Sequence, residues 1–282
     1  MTTVYSAVES VVVLGEAKRR APGATHAERQ RRERWRVRIG RIVFAFFLIA
    51  AWELGSRYLF DPFWAGQPSL VVERVIEMIR NGDLWWHLLP TVGQALTGLM
   101  LSLVVGVPLG ILFASNKTVE KVIEPFFLGL YSVPRVALAP LFILWFGIGP
   151  SSKVVMAFSL VVFIVILNTY EGIRGVDRDL IDMLRAMRAS RLYILRKVIL
   201  PGIVPWIFAS VRVGVGLALV GSVVGELLGS NRGLGWYIEN AAARIDVIGV
   251  FSGLVVLMIV GMLLNEIVKA VEMRLLRERY AP

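Results

Sequence analysis

Arg135 beside Pro134, together with Arg212 and Glu226, sets the chemical problem of this chain, because all of them fall inside long hydrophobic runs. An ionised side chain at membrane depth is costly, so it must face a protein interior or a watery cavity. That is the chemistry of ion pairing and solute passage. Catalysis finds little support. The sequence has no cysteine and only two histidines, His26 and His87, which removes thiolate metal sites and leaves little for zinc or imidazole catalysis. No His-Glu-x-x-His segment, no plausible Ser–His arrangement and no cluster of acids in the apolar runs points to an intramembrane enzyme. The stretch "GILFASNKT" (110–118) lacks the second glycine before its lysine and follows an apolar run rather than a strand, so it is no phosphate loop. No cofactor site is expected.

The elements that must carry these residues follow from composition. Of 282 residues, 56% are hydrophobic, more than one soluble core needs. Six runs are long enough to span a bilayer: 42–60, 91–114, 122–147, 153–170, 201–229 and 247–270. The expected fold is therefore an all-α membrane protein of six transmembrane helices. No internal repeat speaks for a secondary transporter built from two similar halves.

Orientation follows from the cations. With the N-terminus inside, 23 of the 31 Lys and Arg residues fall in cytoplasmic segments, which places both termini inside and makes the net charge of +10 mostly a matter of topology. Residues 1–41 read as a basic cytoplasmic tail. It is not a signal peptide, because Lys18, Arg19 and Arg20 follow its short apolar run. The segment "ERQRRERWRVRIGR" could grip nucleic acid, but beside a span it serves better to hold the first helix against anionic headgroups. Membrane lipid is the expected partner there, and no nucleic acid.

Pro134 and Pro140 interrupt the third run, and backbone freed at membrane depth is tolerated only inside protein or along a cavity. Arg135 could attract an anion there, or could cap a helix. In the fifth run Gly214, Gly221, Gly225 and Gly229 form one small-residue stripe for close helix packing. Arg212 and Glu226 project from the other side, roughly 21 Å apart along the axis. Either they face the interior, with Glu226 near an outer gate, or each finds a local structural partner.

The largest inner loop, 171–200, predicts a helix from Asp177 to about Met187, a turn at Arg188 and Ala189, and Ser190 as the N-cap of a second helix. Leu180, Met183, Leu184 and Met187 share one face. By spacing alone, that stripe is either a docking surface or packs on the chain's own spans. Smaller features are a Glu53–Arg57 pair, a surface helix over 69–80 with Val72, Val75, Ile76 and Ile79 on one face, Trp85 and Trp86 in an aromatic belt, and a tight outer turn in "NRGLGW" (231–236).

The segment "DMLRAMRASRLYILRKVILPG" resembles the EAA loop of ABC importer permeases, with pattern Glu-Ala-Ala, three residues, Gly, nine residues, Ile-x-Leu-Pro. Asp182 takes the acid position, Met183 and Leu184 the alanines, Arg188 the glycine, and Val198 to Pro201 the end. The spacing is intact while the residue types differ. "SVPRVALAPLFILWFGIG" (132–149) and "GELLGSNRGLGW" (225–236) are similar to the nitrate, taurine and aliphatic-sulfonate branch. The resemblance implies a type I ABC importer permease fold over 42–280 in a bacterial inner membrane, with 171–200 as coupling loop. Asp182, Met183, Leu184, Met187, Arg188 and Ser190 would then meet the ATPase, and Pro134, Arg135, Arg212 and Glu226 would belong to the translocation pathway. Implied partners are cytoplasmic ABC ATPase subunits that bind the ATP, a periplasmic or lipid-anchored substrate-binding protein, and a second copy of the permease. The implied solute is small and anionic, such as nitrate, taurine or a sulfonate; an aromatic acid or a pyrimidine vitamin precursor is the alternative. The Leu200-Pro201 pair would mark re-entry into the bilayer, with proline in the first turn of the span.

Overall fold

The computed structural model describes residues 26–59, 66–115 and 117–277, with side chains over 35–275. Residues 1–25 of the expected basic tail, including Lys18 to Arg20, and the last five residues lie outside the described residues. The chain divides into two units, Met1–Asp61 and Pro62–Pro282.

The first unit contains α1 (His26–Tyr58). Its apolar side chains Ile42, Val43, Phe46 and Phe47 are exposed, and Arg57 pairs with Glu53 one turn earlier at 2.6 Å, as the i,i+4 spacing predicts.

In the second unit the described residues are helical without a strand: α2 (Pro68–Asn81), α3 (Asp83–Ser115), α4 (Lys117–Ser132), α5 (Ala139–Phe146), α6 (Pro150–Arg174), α7 (Arg178–Ala186), α8 (Arg191–Ile194), α9 (Leu200–Leu228), α10 (Leu234–Ala243) and α11 (Val247–Arg277). Four stretches are long and apolar enough to cross a membrane: Asp83–Ser115, Pro150–Arg174, Arg191–Leu228 and Val247–Leu275. A fifth arises if α4 and the segment Arg135–Phe146, bent by 79°, count as one broken span. The expected first span, 42–60, lies in α1 and is not among these.

The core is three helices deep, with α3 and α9 both laid along α6. Ala157 of α6 is sandwiched between two glycines. A Cβ on Gly98 would stand 2.6 Å from the Ala157 Cβ, and one on Gly221 would stand 2.6 Å from the Ala157 Cα. Only glycine permits these approaches, which is the packing role expected of the α9 stripe. Gly214 and Gly225 continue it against Val161 and Lys153. Leu99, Val161, Val165, Val215 and Leu219 fill the spaces between.

Punctuation explains the ends. The residue before a proline avoids the helical region, so α4 stops at Ser132, ahead of Val133 and Pro134. Gly82 closes α2 with φ 83°, and Gly147 closes α5 with φ 76°. Pro68 and Pro150 stand in first turns, where a missing N–H costs nothing. Pro201 was expected to begin a helix in the same way, and here the structure differs. The chain runs from α8 through a π-helical turn, Leu195–Ile199, straight into α9, with the Leu200 N–H bonding the Leu195 carbonyl. In a continuous α-helix the Pro201 ring would press on the Lys197 carbonyl, and the wider turn relieves that clash without a break.

The surface helix expected over 69–80 is α2, in which Val71 and Met78 are buried, Met78 packing with Leu84, Leu234 and Val256. Of the predicted apolar face, Val72, Ile76 and Ile79 are exposed while Val75 is half-buried against that cluster.

Candidate functional site

Three groups of chemistry-bearing residues were expected, and the structure treats them differently. The loop end comes first. Asp177 caps α7, its carboxylate accepting the Asp179 N–H at 2.9 Å, and Ser190 caps α8, its hydroxyl oxygen accepting the Tyr193 N–H at 3.2 Å. Between them the chain turns at Arg188, which has φ 59°. The Ala189 N–H bonds the Leu184 carbonyl and the Arg188 N–H bonds the Arg185 carbonyl. That pair of bonds is a Schellman motif with Arg188 at the left-handed C′ position, where glycine is favoured. The turn that the glycine of the EAA pattern would make is thus made here by arginine, at a cost of about 1 kcal/mol.

No side chain of α7 is buried. Met183 is exposed, Met187 is 72% exposed, Leu180 is exposed and Leu184 half-buried. None of these side chains is buried against the chain's own spans among the described residues. Asp182 pairs only along its own helix, with Arg185 at 3.0 Å. Beside the loop stands a cluster that sequence reasoning missed: the Tyr170 hydroxyl donates to Glu120, and Arg174 donates to Tyr170 at 2.6 Å. It ties the start of α4 to the end of α6, from which the loop departs. Its members lie 50 or more residues apart or at i,i+4, so only the pair Tyr170–Arg174 was visible in the sequence.

At the far end, Glu226 is 1% exposed. The Thr91 hydroxyl donates to its carboxylate at 2.8 Å, and the Gly235 N–H donates at 2.8 Å. Thr91 in turn accepts the Leu234 N–H at 2.8 Å, and the Gly233 N–H donates to His87 Nδ1 at 3.2 Å. The ring of His87 stacks on Trp236, 5.3 Å between centroids. Glu226 therefore does not line a cavity at a gate; it pins the 231–236 turn against α3 and α9. Gly233 has φ 117°, as the tight turn requires, and a Cβ there would stand 2.3 Å from the Glu226 Cδ.

Lys153 belongs to this end as well. Expected among the outer-loop cations, it is 1% exposed within the first turn of α6, its ammonium donating to the Ile148 and Gly229 carbonyls. Those carbonyls come from the two chain segments that end α5 and α9. Pro150, three residues earlier, was the signal that the helix already runs there.

The remaining pathway residues find local partners. Arg212 is 48% exposed and pairs with Glu272 of α11 at 3.1 Å. Arg135 donates to the Tyr131 carbonyl at 3.1 Å, closing the end of α4, and lies over the rings of Phe163 (4.4 Å) and Tyr131 (5.0 Å). Its Nε is buried without a partner among the described residues. Pro134 stands in the break itself, as N-cap of the short 3₁₀ turn Arg135–Leu138. No group of acids and histidines suited to a metal occurs among the described residues.

Known proteins are similar to this chain in fold and in sequence. The fold is similar to a chain of the MetNI methionine ABC transporter solved in inward-facing conformations, with TM-score 0.60 and 19% identity over 77% of this chain and 99% of that one. In sequence, the putative aliphatic sulfonates transport permease protein SsuC of Bacillus subtilis is 34% identical over 90% of this chain and 94% of its own. The formylaminopyrimidine transport permease protein ThiX of Halalkalibacterium halodurans is 32% identical over 82% and 92%. The taurine transport system permease protein TauC of Escherichia coli is 28% identical over 87% and 93%. Residues 106–277, from the middle of α3 through α11, match the binding-protein-dependent transport system inner membrane component family. With a capped, outward-facing loop helix inside that match and relatives that span most of its length, this chain belongs to that family of transport permeases, which are not enzymes.

Proposed function

We propose that this chain is the membrane half of an ATP-driven importer in which α7 receives the motion of a cytoplasmic ATPase. The observation that carries the reading is mechanical. A helix with no buried side chain is joined by one turn to Arg191–Leu228, which continues unbroken through a π turn into the three-helix core. A push on the Met183–Met187 face is thereby delivered to α9, and through its glycine stripe to α6. On this reading the loop end is cytoplasmic, as are both termini. The 42–60 stretch of α1 supplies the sixth span, and residues 1–41 remain a basic tail against the headgroups. Two copies of the chain form the pathway, two ATPase subunits serve them, and a substrate-binding protein delivers the solute to the far end.

A small anion such as a sulfonate or taurine is the solute we favour. Arg135 supports it, being the cation set at the break of the α4–α5 span, with one N–H still unspent. A second reading, a pyrimidine vitamin precursor, is supported by the formylaminopyrimidine permease, whose 32% identity is close to that of the sulfonate relative. Uptake into vesicles holding the permease, its ATPase and the cognate binding protein tests both. Met183→Asp with Leu184→Asp should abolish ATP-dependent uptake while insertion persists, and Arg135→Gln should lower uptake of a sulfonate but not of a neutral pyrimidine. Transport that survives the double Asp change would refute coupling through α7.

A further inference from the structure

Gly82, Trp85, Trp86, Leu89, Pro90 and Arg232 line an open groove of about 580 Å³ at the far end. It lies where α2 meets α3. The first of these helices packs inward through Val71 and Met78 and shows Val72, Ile76 and Ile79 to the surroundings, while the second begins a span. A helix with an apolar outer face, followed after one glycine by a spanning helix, suits an interfacial position and sets the groove at that level. Two exposed indoles at that level fit the interfacial preference of tryptophan.

The lining is apolar except at one place. The Arg232 guanidinium stands over the Trp86 ring, 5.5 Å from its centroid. Among the described residues it pairs with no carboxylate, although the far end holds several acids. Asp246 is taken by Arg74 at 3.0 Å, and Glu226 is buried in the turn. Stacking on an indole restrains the cation yet leaves its N–H groups free for an anion. A small inorganic anion would gain one cation and lose water to an apolar wall. An anion with an apolar tail suits both halves of the groove.

We propose that this groove holds the headgroup phosphate of an anionic phospholipid, paired with Arg232, with Trp85 and Trp86 at the glycerol level and an acyl chain along Leu89 and Pro90. It follows that lipid steadies the 231–236 turn, since Arg232 immediately precedes Gly233, whose N–H is held by His87. The importer reading above decides only which leaflet is meant.

Native mass spectrometry of the full chain, released from nanodiscs of phosphatidylcholine with phosphatidylglycerol, tests this. Phosphatidylglycerol should be retained in preference to phosphatidylcholine. Arg232→Gln should cut that retention about fivefold, Arg232→Lys should keep most of it, and Trp86→Leu should lower it. Arg232 is exposed, so Arg232→Gln should leave the unfolding temperature of the delipidated chain unchanged, while the rise that phosphatidylglycerol gives the wild type should shrink. Equal retention of the two lipids, no change in Arg232→Gln, displacement of lipid by inorganic phosphate, or displacement by a purified binding protein without any lipid preference would overturn the proposal. ATPase association, measured on the same samples, reports on the importer reading separately.

Discussion

The two ends of the helical core carry charge in opposite ways. At the far end Glu226 and Lys153 are both buried, and each is satisfied by backbone or side-chain groups from other segments of the same chain. On the loop itself Arg185, Arg188 and Arg191 are exposed beside the exposed Met183 and Met187, and Arg185 pairs only along its own helix with Asp182 among the described residues. Internally satisfied polar groups contribute to the fold, and removing one partner leaves the others stranded in a dry place. Exposed apolar side chains ringed by cations add little to the fold of the isolated chain. On the proposed reading, the far end is built for shape and the loop end for a partner.

That contrast can be broken by substitution. The largest effect should follow from Met183→Asp with Leu184→Asp, which puts two charges into a helix-in-groove contact. Association with the ATPase should weaken by about 4 kcal/mol, two anchors lost, while the unfolding midpoint of the purified chain stays put. Glu226→Ala should do the reverse. It orphans the Gly235 N–H and takes one acceptor from the Thr91 hydroxyl, and should destabilise the chain by about 3 kcal/mol, seen as a lowered thermal midpoint with ATPase affinity per folded chain unchanged. Glu226→Gln, which still accepts both bonds, should cost less. A loop variant that unfolds the protein, or a Glu226 variant that loses only the ATPase, would erase the distinction.

Much of this was legible in the sequence, and for local reasons. The loop helix with its Asp177 and Ser190 caps, the break at Pro134, the glycine stripe and the Glu53–Arg57 pair all rest on spacings within one element. The far-end polar cluster was not legible, because Thr91 and Glu226 lie 135 residues apart and Lys153 and Gly229 76 apart. The sequence therefore left Glu226 open between an outer gate and a local structural partner, and could not name Thr91 and the Gly235 N–H as that partner. The packed side of α2 was not legible for a related reason. Helical periodicity places Val72, Ile76 and Ile79 on one side, but does not show that Val71 and Met78 behind them are buried. The π turn before Pro201 went unseen because Ile-Leu-Pro reads equally well as a fresh helix start.

Two smaller effects sharpen the comparison. Arg188→Gly should relieve the left-handed C′ position and stabilise α7 by about 1 kcal/mol, read as slower amide exchange at Arg188 and Ala189. Arg188→Glu should weaken ATPase association at low salt and have little effect at high salt, if the Arg185–Arg188–Arg191 cluster faces an acidic edge. The smallest change is expected at Arg212→Ala. A half-exposed pair with Glu272 should be worth about 0.5 kcal/mol, and transport should continue at a near-normal rate, since both residues bond each other rather than a solute.

The claim on which the rest depends is that the α7 face is open in the chain alone and covered by the ATPase. The protein contains no cysteine, so Met187→Cys introduces one unique thiol at the most exposed residue of that face. Its rate of alkylation by a water-soluble maleimide should be fast in the permease alone, drop sharply when ATPase subunits are bound, and recover when Met183→Asp and Leu184→Asp are added. A thiol that reacts slowly without the ATPase, or at the same rate with it, would contradict the account.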